Sequence, residues 1–285
     1  MIDLHTHSAI SDGTDTVPEL IRNASQAGID RLSLTDHDTM DGVELAQECG
    51  RIAGIEVLRG MEMSTHVVVD GVKRSVHLLA YGCLPEDPEL ASLLEAVVEA
   101  RRTRVPRMLE LLAGLGMPLE LGEVQAQSAR AFSVGRPHVA DAMVARGYVA
   151  NRDEAFRDYL HDLGPAYVTR YTPTLFEAVD AINRACGVAV VAHPWGRGSR
   201  EFLTEELIAE AGARGLYGIE VDHTDHGLEE RQVLRELARD LGLRVTGSSD
   251  YHGTGKTKNP LGVFSTAVEV YEAIRNEIEE RGGRP

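Results

Sequence analysis

The sequence predicts an α/β protein of parallel strands covered by helices, with a purely helical block inserted into it. Three observations carry this reading. Short apolar runs of five to seven residues alternate with amphipathic stretches of helical spacing that end at glycine. At 285 residues the chain can bury a large core, either as one α/β barrel or as a domain carrying an inserted second one. From about Pro88 to Tyr171 the strand signals stop and only helical spacing remains.

The elements follow in order. Ile2 to Thr6 reads as an opening strand, and "VPELIRNASQAG" (17–28) as the first helix. "RLSLT" (31–35) and "IEVLRGM" (55–61) read as buried parallel strands. "HVVVDGVKRSVHLLAYG" (66–82) differs, because Asp70-Gly71 between two β-rich runs is a strong hairpin signal that puts His77 on the second strand of a ribbon. The helical block holds "PELASLLEAVVEARRTRVPRMLELLAGLG", "RPHVADAMVARG" and "NRDEAFRDYL". Winding then resumes with "TPTLFEAVDAINRACG", the strand "VAVVA" (188–192), "TEELIAEAGARG", and the strands "LYGIEV" (216–221) and "LRVTGS" (243–248). The expected organisation is one barrel formed by residues 1–87 and 172–285, with 88–171 as a helical insertion.

Charge narrows the partners. With 45 acidic against 29 basic residues the net charge is −16, which opposes long-range attraction to nucleic acid or to an anionic membrane. A phosphorylated substrate therefore needs a local positive centre, such as metal ions. No basic segment leads into an apolar stretch at the start, and no apolar run approaches the ~20 residues of a membrane span, so a cytoplasmic chain is expected. Cys49, Cys83 and Cys186 form no close pair and read as small buried hydrophobes.

The ionisable residues fall into a pattern on this map. In "MIDLHTHSAISDG", strand alternation places His5 and His7 on one face, where two imidazoles can converge on one ion; alone, the pair reads equally well as solvated or core histidines. Asp36 and His37 follow "RLSLT", and Glu62 follows "VLRGM". His193 follows "VAVVA", Asp222 and His223 follow "LYGIEV", and Asp250 and His252 follow "RVTGSS". The C-terminal ends of parallel strands meet on one rim, where barrel active sites form. Packing alone would not place ionisable groups at five strand ends. Imidazole and carboxylate without thiolate suit Zn, Mn or Fe, and about nine candidate ligands are enough for up to three ions.

"DLHTHSAISDGT", "LTDHDTMDG", "GMEMST", "VHLLAYG", "VVAHP" and "GSSDYHG" resemble, in order, the motifs of the polymerase and histidinol phosphatase (PHP) superfamily. They most resemble its branch of small bacterial phosphoesterases acting on nucleoside 3′,5′-bisphosphates and short 5′-phosphorylated oligoribonucleotides. "VGRPHVADAMV" in the insertion is similar to that branch as well. The resemblance implies a distorted (β/α)₇ barrel around a trinuclear site. It implies one ion held by His5, His7, Glu62 and Asp250, a second by Glu62, His77 and His193, and a third by Asp12, His37 and His252. A hydroxide between two ions would be the nucleophile.

Around the implied ions, Asp36 is expected to orient a ligand, and His223 to act beside the ions or on the substrate. Arg136 and His138 flank Pro137 at an expected helix start, a good anion site, and the resemblance turns them toward substrate. "HPWGRGSR" departs from the His-Pro-Gly-Arg that the family often carries: Arg197 or Arg200 could reach a phosphate, and Trp195 could stack on a base or pack on the rim. Glu220 and Asp222 share a strand face, beside the ligands or in salt bridges. His66, His161 and His226 are expected to be solvated. The expected partner is a small phosphorylated nucleotide or a short RNA 5′ end, with no membrane and no stable nucleic-acid partner. Two other classes fit less well: a phosphatase of histidinol phosphate, using the same metal residues, and a non-catalytic PHP module, which would have lost ligands.

Overall fold

The computed structural model describes residues 1–127 and 134–285, apart from the side chain of Arg197. Seven strands form one mixed sheet in chain order: β1 (Ile2–Thr6), β2 (Arg31–Leu34), β3 (Glu56–Val69), β4 (Val72–Tyr81), β5 (Val188–Val191), β6 (Gly218–Asp222) and β7 (Arg244–Gly247). Helices α1 (Val17–Gln26) and α2 (Val43–Ala53) cover the first strands. Among the described residues, α3 (Pro88–Gly114), α4 (Leu121–Gln127), α5 (Arg136–Ala145), α6 (Arg152–Ala155) and a π-helical turn (Phe156–Leu160) follow β4 before the winding resumes. Then come α7 (Leu175–Arg184), α8 (Glu205–Ala213), α9 (Leu228–Leu241) and α10 (Val268–Arg281).

Local sequence explains these boundaries. At α1, Thr16 and Glu19 form a reciprocal capping box, and Val17, Leu20, Ile21 and Ala24 give the buried stripe. Thr174 and Glu177 start α7 in the same way. Asp70 and Gly71 both have positive φ, 52° and 76°, as a tight primed turn between β3 and β4 requires.

Two features differ from the expectation of short parallel strands. The stretches "IEVLRGM" and "HVVV" are one fourteen-residue strand, because the ladder with β4 runs unbroken from Gly60 opposite Tyr81 to Val69 opposite Val72. Glu62 therefore sits inside β3 rather than after it. The ribbon also makes β4 antiparallel to both neighbours, while β1–β2–β3 and β5–β6–β7 pair in parallel.

Both faces of the middle strands are apolar. Leu78 and Ala80 pack toward α7, and Leu79 and Tyr81 toward α10. The face carrying Leu58 on β3 and Leu79 on β4 turns polar further along, at Glu62 and His77. Because β4 runs against β3, both residues approach the rim where β2 and β5 end. A separate apolar cluster lies within residues 105–168 and includes Met108, Leu112, Val139, Met143 and Leu160.

The sheet nearly closes into a barrel through side chains and loops between β7 and β1. His7 donates its backbone N–H to Tyr251 O at 2.8 Å, and Thr266 donates to Ile2 O at 3.0 Å. Asp3, with no exposed surface, accepts backbone N–H bonds from Ser249 at 3.0 Å and Gly262 at 3.1 Å. It thereby ties β1 to the loop that carries Asp250 and His252. Among the described residues no helix is long and apolar enough to cross a membrane.

Replacing Asp3 with Ala leaves the buried N–H of Ser249 and the half-buried N–H of Gly262 unpaired. Asp3→Ala is expected to lower stability by about 1–3 kcal/mol in urea unfolding, with unchanged m-value. A midpoint equal to that of wild type would show that this closure is dispensable.

Candidate metal centre

The polar rim gathers residues from five strand ends and two loops into one buried cluster. Glu62, 1% exposed, is its centre. Its Oε2 lies 3.5 Å from His5 Nε2, 3.2 Å from His7 Nε2 and 3.1 Å from His37 Nδ1. Its Oε1 lies 2.8 Å from His77 Nδ1 and 3.4 Å from His193 Nε2. Asp250 Oδ1 stands 3.4 Å from His5 Nε2, 3.5 Å from His7 Nε2 and 3.4 Å from His252 Nδ1. Asp12 bridges His252 Nε2 at 3.3 Å and His37 Nε2 at 3.6 Å.

These separations fit shared ions better than direct hydrogen bonds. Two donor atoms each about 2.1 Å from one ion, at angles between octahedral and tetrahedral, lie about 3.0–3.5 Å apart. Most of the distances fall in that window. Moreover, His5 Nε2, His7 Nε2, His37 Nδ1 and His252 Nε2 are buried and have no hydrogen-bond partner, although buried imidazole nitrogens normally find one. Among the described residues four overlapping groups have ligand atoms within 4.8 Å of one another: His7/Asp12/His37/His252, His5/His7/Asp250, His5/Glu62/His193 and His37/Glu62/His77. All nine residues singled out in the sequence fall in these groups. The donor set is nitrogen and oxygen only, as Zn, Mn and Fe accept.

The electrostatics follow from burial against mutual attraction. Burial opposes the charged form of Glu62, Asp12 and Asp250. The surrounding imidazoles, and for Asp250 first Lys256, outweigh it and hold all three carboxyls well below their usual range. His5, buried but facing Glu220, Glu62 and Asp250, is held well above the usual range, and His7 rises to about 9. His37 and His252 are pushed down by burial, to about 3 and about 4.

Backbone contacts sort the histidines by tautomer. His252 Nδ1 lies 2.9 Å from Asp250 O and can only donate to it, which leaves the Nε2 lone pair facing Asp12. His5 Nδ1 faces Glu220 Oε1 at 3.2 Å, which turns its Nε2 toward Glu62 and Asp250. His223 is the reverse. Its Nδ1 accepts the backbone N–H of Asp225 at 3.1 Å, so the neutral ring carries its proton on Nε2, aimed at Asp250 Oδ2 3.5 Å away. His223 therefore offers the centre a donor rather than a lone pair, and it belongs to none of the four groups.

The remaining expectations divide. Asp36 contacts no imidazole; it accepts from Ser8 N–H at 2.9 Å, Ser8 Oγ at 2.6 Å and Ser11 Oγ at 2.6 Å, holding the loop that carries Asp12. His138 is 5% exposed, with Nδ1 accepting Gly135 N–H at 3.0 Å. Arg136 is tied among the helices between β4 and β5, donating to Leu160 O at 3.1 Å and Asp162 Oδ1 at 2.7 Å. The Arg197 side chain lies outside the described residues. Trp195 is 3% exposed, packs in the main core and donates its indole N–H to Leu203 O at 2.9 Å, so it packs rather than stacks on a base. Arg200 lies over its ring at 4.5 Å.

Three expectations need correcting. His66 and His226 are buried, not solvated, because each hydrogen-bonds a backbone carbonyl: His66 that of Pro173 at 3.0 Å, His226 that of Val221 at 2.8 Å. His161 is exposed as expected. Of the cysteines only Cys83 is buried; Cys49 and Cys186 lie at helix edges and stay half-buried. The pair left open on β6 splits at a register shift: Glu220 is buried against His5 and accepts His193 N–H at 2.9 Å, while Asp222 pairs with Arg235 on α9. Sequence reasoning missed Lys256, which donates to Asp250 Oδ2 at 2.6 Å, and Asp38, buried against Arg101 and Arg170. Only proximity to a motif could have flagged either.

Comparison with known proteins agrees with this geometry. The PHP domain profile matches residues 3–111. A 3′,5′-nucleoside bisphosphate phosphatase of Chromobacterium violaceum is 32% identical over 100% of this chain and 98% of its own length. A 5′-3′ exoribonuclease of Haemophilus influenzae is 30% identical over 95% of this chain and 97% of its own. A solved structure from Bifidobacterium adolescentis, described as a metal-dependent phosphoesterase, superposes with a TM-score of 0.90 at 34% identity, covering 97% of this chain and 96% of that one. A barrel rim of nine converging imidazoles and carboxylates, with full-length relatives of this kind, makes the chain a phosphoesterase of the PHP family.

Proposed function

We propose that the nine residues hold two to three divalent ions of Mn, Fe or Zn, and that the enzyme removes the 3′-phosphate of nucleoside 3′,5′-bisphosphates. Short 5′-phosphorylated oligoribonucleotides are a second substrate class. The observation that carries this is the set of buried imidazole nitrogens without hydrogen-bond partners around Glu62, Asp12 and Asp250. The names of the relatives from Chromobacterium violaceum and Haemophilus influenzae support the substrate class. When bound, the ions supply positive charge to the phosphoryl oxygens and activate water.

The chain's own groups take the remaining tasks. His5, His7, Glu62 and Asp250 form one wall of the proposed metal site, Glu62 with His77 and His193 a second, and Asp12, His37 and His252 a third. Asp36 acts as a positioning residue by fixing the loop of Asp12. His223 Nε2–H, which lies 3.5 Å from Asp250 Oδ2 and has no hydrogen-bond partner, is the donor to a phosphoryl oxygen. In the reaction the bond between phosphorus and the 3′ oxygen breaks, the oxygen of water bonds to phosphorus, and the 3′ oxygen leaves with a proton, giving a 5′-nucleotide and inorganic phosphate. Residues 88–171 act as an insertion that walls the substrate pocket, with His138 and Arg136 at its α5 end; the Arg197 side chain lies outside the described residues. The substrate is a small cytoplasmic nucleotide or short RNA end.

The purified protein is expected to carry two to three transition-metal ions by elemental analysis and to lose phosphoesterase activity on chelation; full activity without metal would defeat the proposal. Asp250→Asn and His7→Ala are expected to cut kcat by about 10²-fold or more with the fold retained by circular dichroism, whereas His161→Ala stays near wild type. Equal behaviour of all three would mean that the ligands are misassigned. In a substrate series, kcat/KM should be higher for nucleoside 3′,5′-bisphosphates than for 3′-monophosphates or histidinol phosphate. A clear preference for histidinol phosphate would reassign the enzyme.

A further inference from the structure

Lys256 stands beside the proposed metal site without a task in it. Of the 29 lysines and arginines in this chain, only Lys73, Lys256 and Lys258 are lysines, and two of these three fall in the loop that follows Asp250 and His252. That loop is built to hold Lys256 in place. Thr254 donates its backbone N–H to Thr14 Oγ1 at 2.9 Å, Gly255 donates to His252 O at 3.2 Å, and Asn259 Nδ2 donates to Ser249 O at 2.7 Å. The Asn259 N–H closes the turn on Lys256 O at 3.2 Å. Gly253 has φ of 64°, and a Cβ there would stand 2.1 Å from Thr14 Oγ1, so this approach needs glycine. Lys258, two residues further on, is 85% exposed and meets only Asp153, across 3.9 Å of solvated surface.

Asp250 divides its two oxygens between ligands and donors. Oδ1 faces the imidazoles of His5, His7 and His252. Oδ2 takes Lys256 Nζ at 2.6 Å and lies 3.5 Å from His223 Nε2, a buried nitrogen with no hydrogen-bond partner. The Lys256 ammonium makes no second hydrogen bond among the described residues, and its side chain is 28% exposed. An ammonium carries three donors, so two remain for a ligand that arrives from solvent.

A salt bridge that serves only Asp250 does not account for this placement. The nine residues of the site include three carboxylates, Asp12, Glu62 and Asp250, so two divalent ions already outweigh them. A fixed ammonium on the same carboxylate then adds like charge to like charge, and a multiply charged anion is what offsets the excess. The residue type points the same way. Arginine is the usual cation of this chain, and its planar fork engages both oxygens of a carboxylate; a compact ammonium takes one oxygen and keeps its other donors free.

We propose that Lys256 is a catalytic residue that grips the phosphoryl group undergoing hydrolysis, its ammonium pairing with a non-bridging oxygen on the Oδ2 side of Asp250, next to the His223 Nε2–H. This rests on the phosphoesterase reading above and deepens it. The ammonium stays protonated from substrate to product: no proton leaves Nζ, and its charge stabilises the phosphoryl oxygens while the bond to the 3′ oxygen breaks. It then holds the inorganic phosphate until release. The group that Lys256 meets is common to every ester, so it raises turnover without choosing between substrates.

The test compares metal-loaded wild type, Lys256→Gln and, as a control in the same loop, Lys258→Gln, with metal content measured in each. In Lys256→Gln, kcat/KM should fall about 10²-fold, by similar factors on a nucleoside 3′,5′-bisphosphate, its 3′-monophosphate and an aryl phosphate, while metal content matches wild type. Lys258→Gln should keep wild-type activity. A second readout needs no turnover: the Kd for inorganic phosphate, from titration calorimetry, should rise about tenfold in Lys256→Gln. A variant that loses metal but binds phosphate normally once loaded shows that Lys256 serves only Asp250, and overturns the proposal. A fall confined to one substrate overturns it too. The scarcity of lysine gives a third readout on wild type alone. With an amine-acylating reagent and peptide mass spectrometry, inorganic phosphate should slow modification of Lys256 severalfold relative to Lys73 and Lys258. Equal modification of Lys256 with and without phosphate overturns the proposal even where Lys256→Gln fails to fold. If phosphate protects Lys256 but wild type hydrolyses none of the esters, the phosphoesterase reading fails and the anion contact stands.

Discussion

The burial of Glu62 among imidazoles is the constraint on which this structure turns. A carboxylate at 1% exposure is expensive to desolvate unless positive charge compensates it, and five histidines from four different strands or strand ends lie within 3.5 Å of its two oxygens. His5 and His7 supply part of that charge, and several of the nearest imidazole nitrogens still have no hydrogen-bond partner. Cations among the donors would satisfy this geometry. Folding and metal affinity are therefore linked in this chain, because the groups that an ion would neutralise are brought together only when the barrel closes.

That closure explains why distant features of the fold serve the site. Glu62 reaches the rim because β3 continues past the end of β2 into the ribbon, and the antiparallel β4 returns His77 to the same level. Asp3 holds the loop after β7 against β1, which sets Asp250 and His252 beside His5 and His7. Asp36 holds the Ser8–Ser11 turn, which delivers Asp12. Each contact is an ordinary buried hydrogen bond, and each fixes a ligand that it does not touch.

The helices between β4 and β5 face this rim with charges of the other sign. Arg152 pairs with Asp141 at 2.6 Å and donates to Asp12 O at 3.4 Å, and Arg101 reaches Asp38 and Ser64. An acidic protein thus brings several of its arginines close to the cluster of imidazoles and carboxylates. Long-range attraction is absent, so recognition depends on short-range geometry.

Periodicity was sufficient to determine the winding and the Asp70-Gly71 hairpin, because both are local properties, and the resemblance of the motifs pointed to the nine imidazoles and carboxylates that the fold brings together. What lay beyond the sequence was whatever depends on partners far along the chain. The unbroken run of β3 was hidden because "GMEMST" is polar where it enters the site, against the apolar pattern that marks a strand. Whether Glu220 or Asp222 turns toward the histidines was decided by a register shift on β6, and His66 and His226 were drawn inside by carbonyls of other segments. The tautomer of His223, set by the Asp225 N–H, distinguishes a donor from a ligand where the residue type cannot. The burial of Arg104 likewise has no signature in "EARRTRV", where its neighbour Arg102 is exposed. Only the packing of α3 against the ribbon separates the two, since burial is a property of the folded surface and not of the residue.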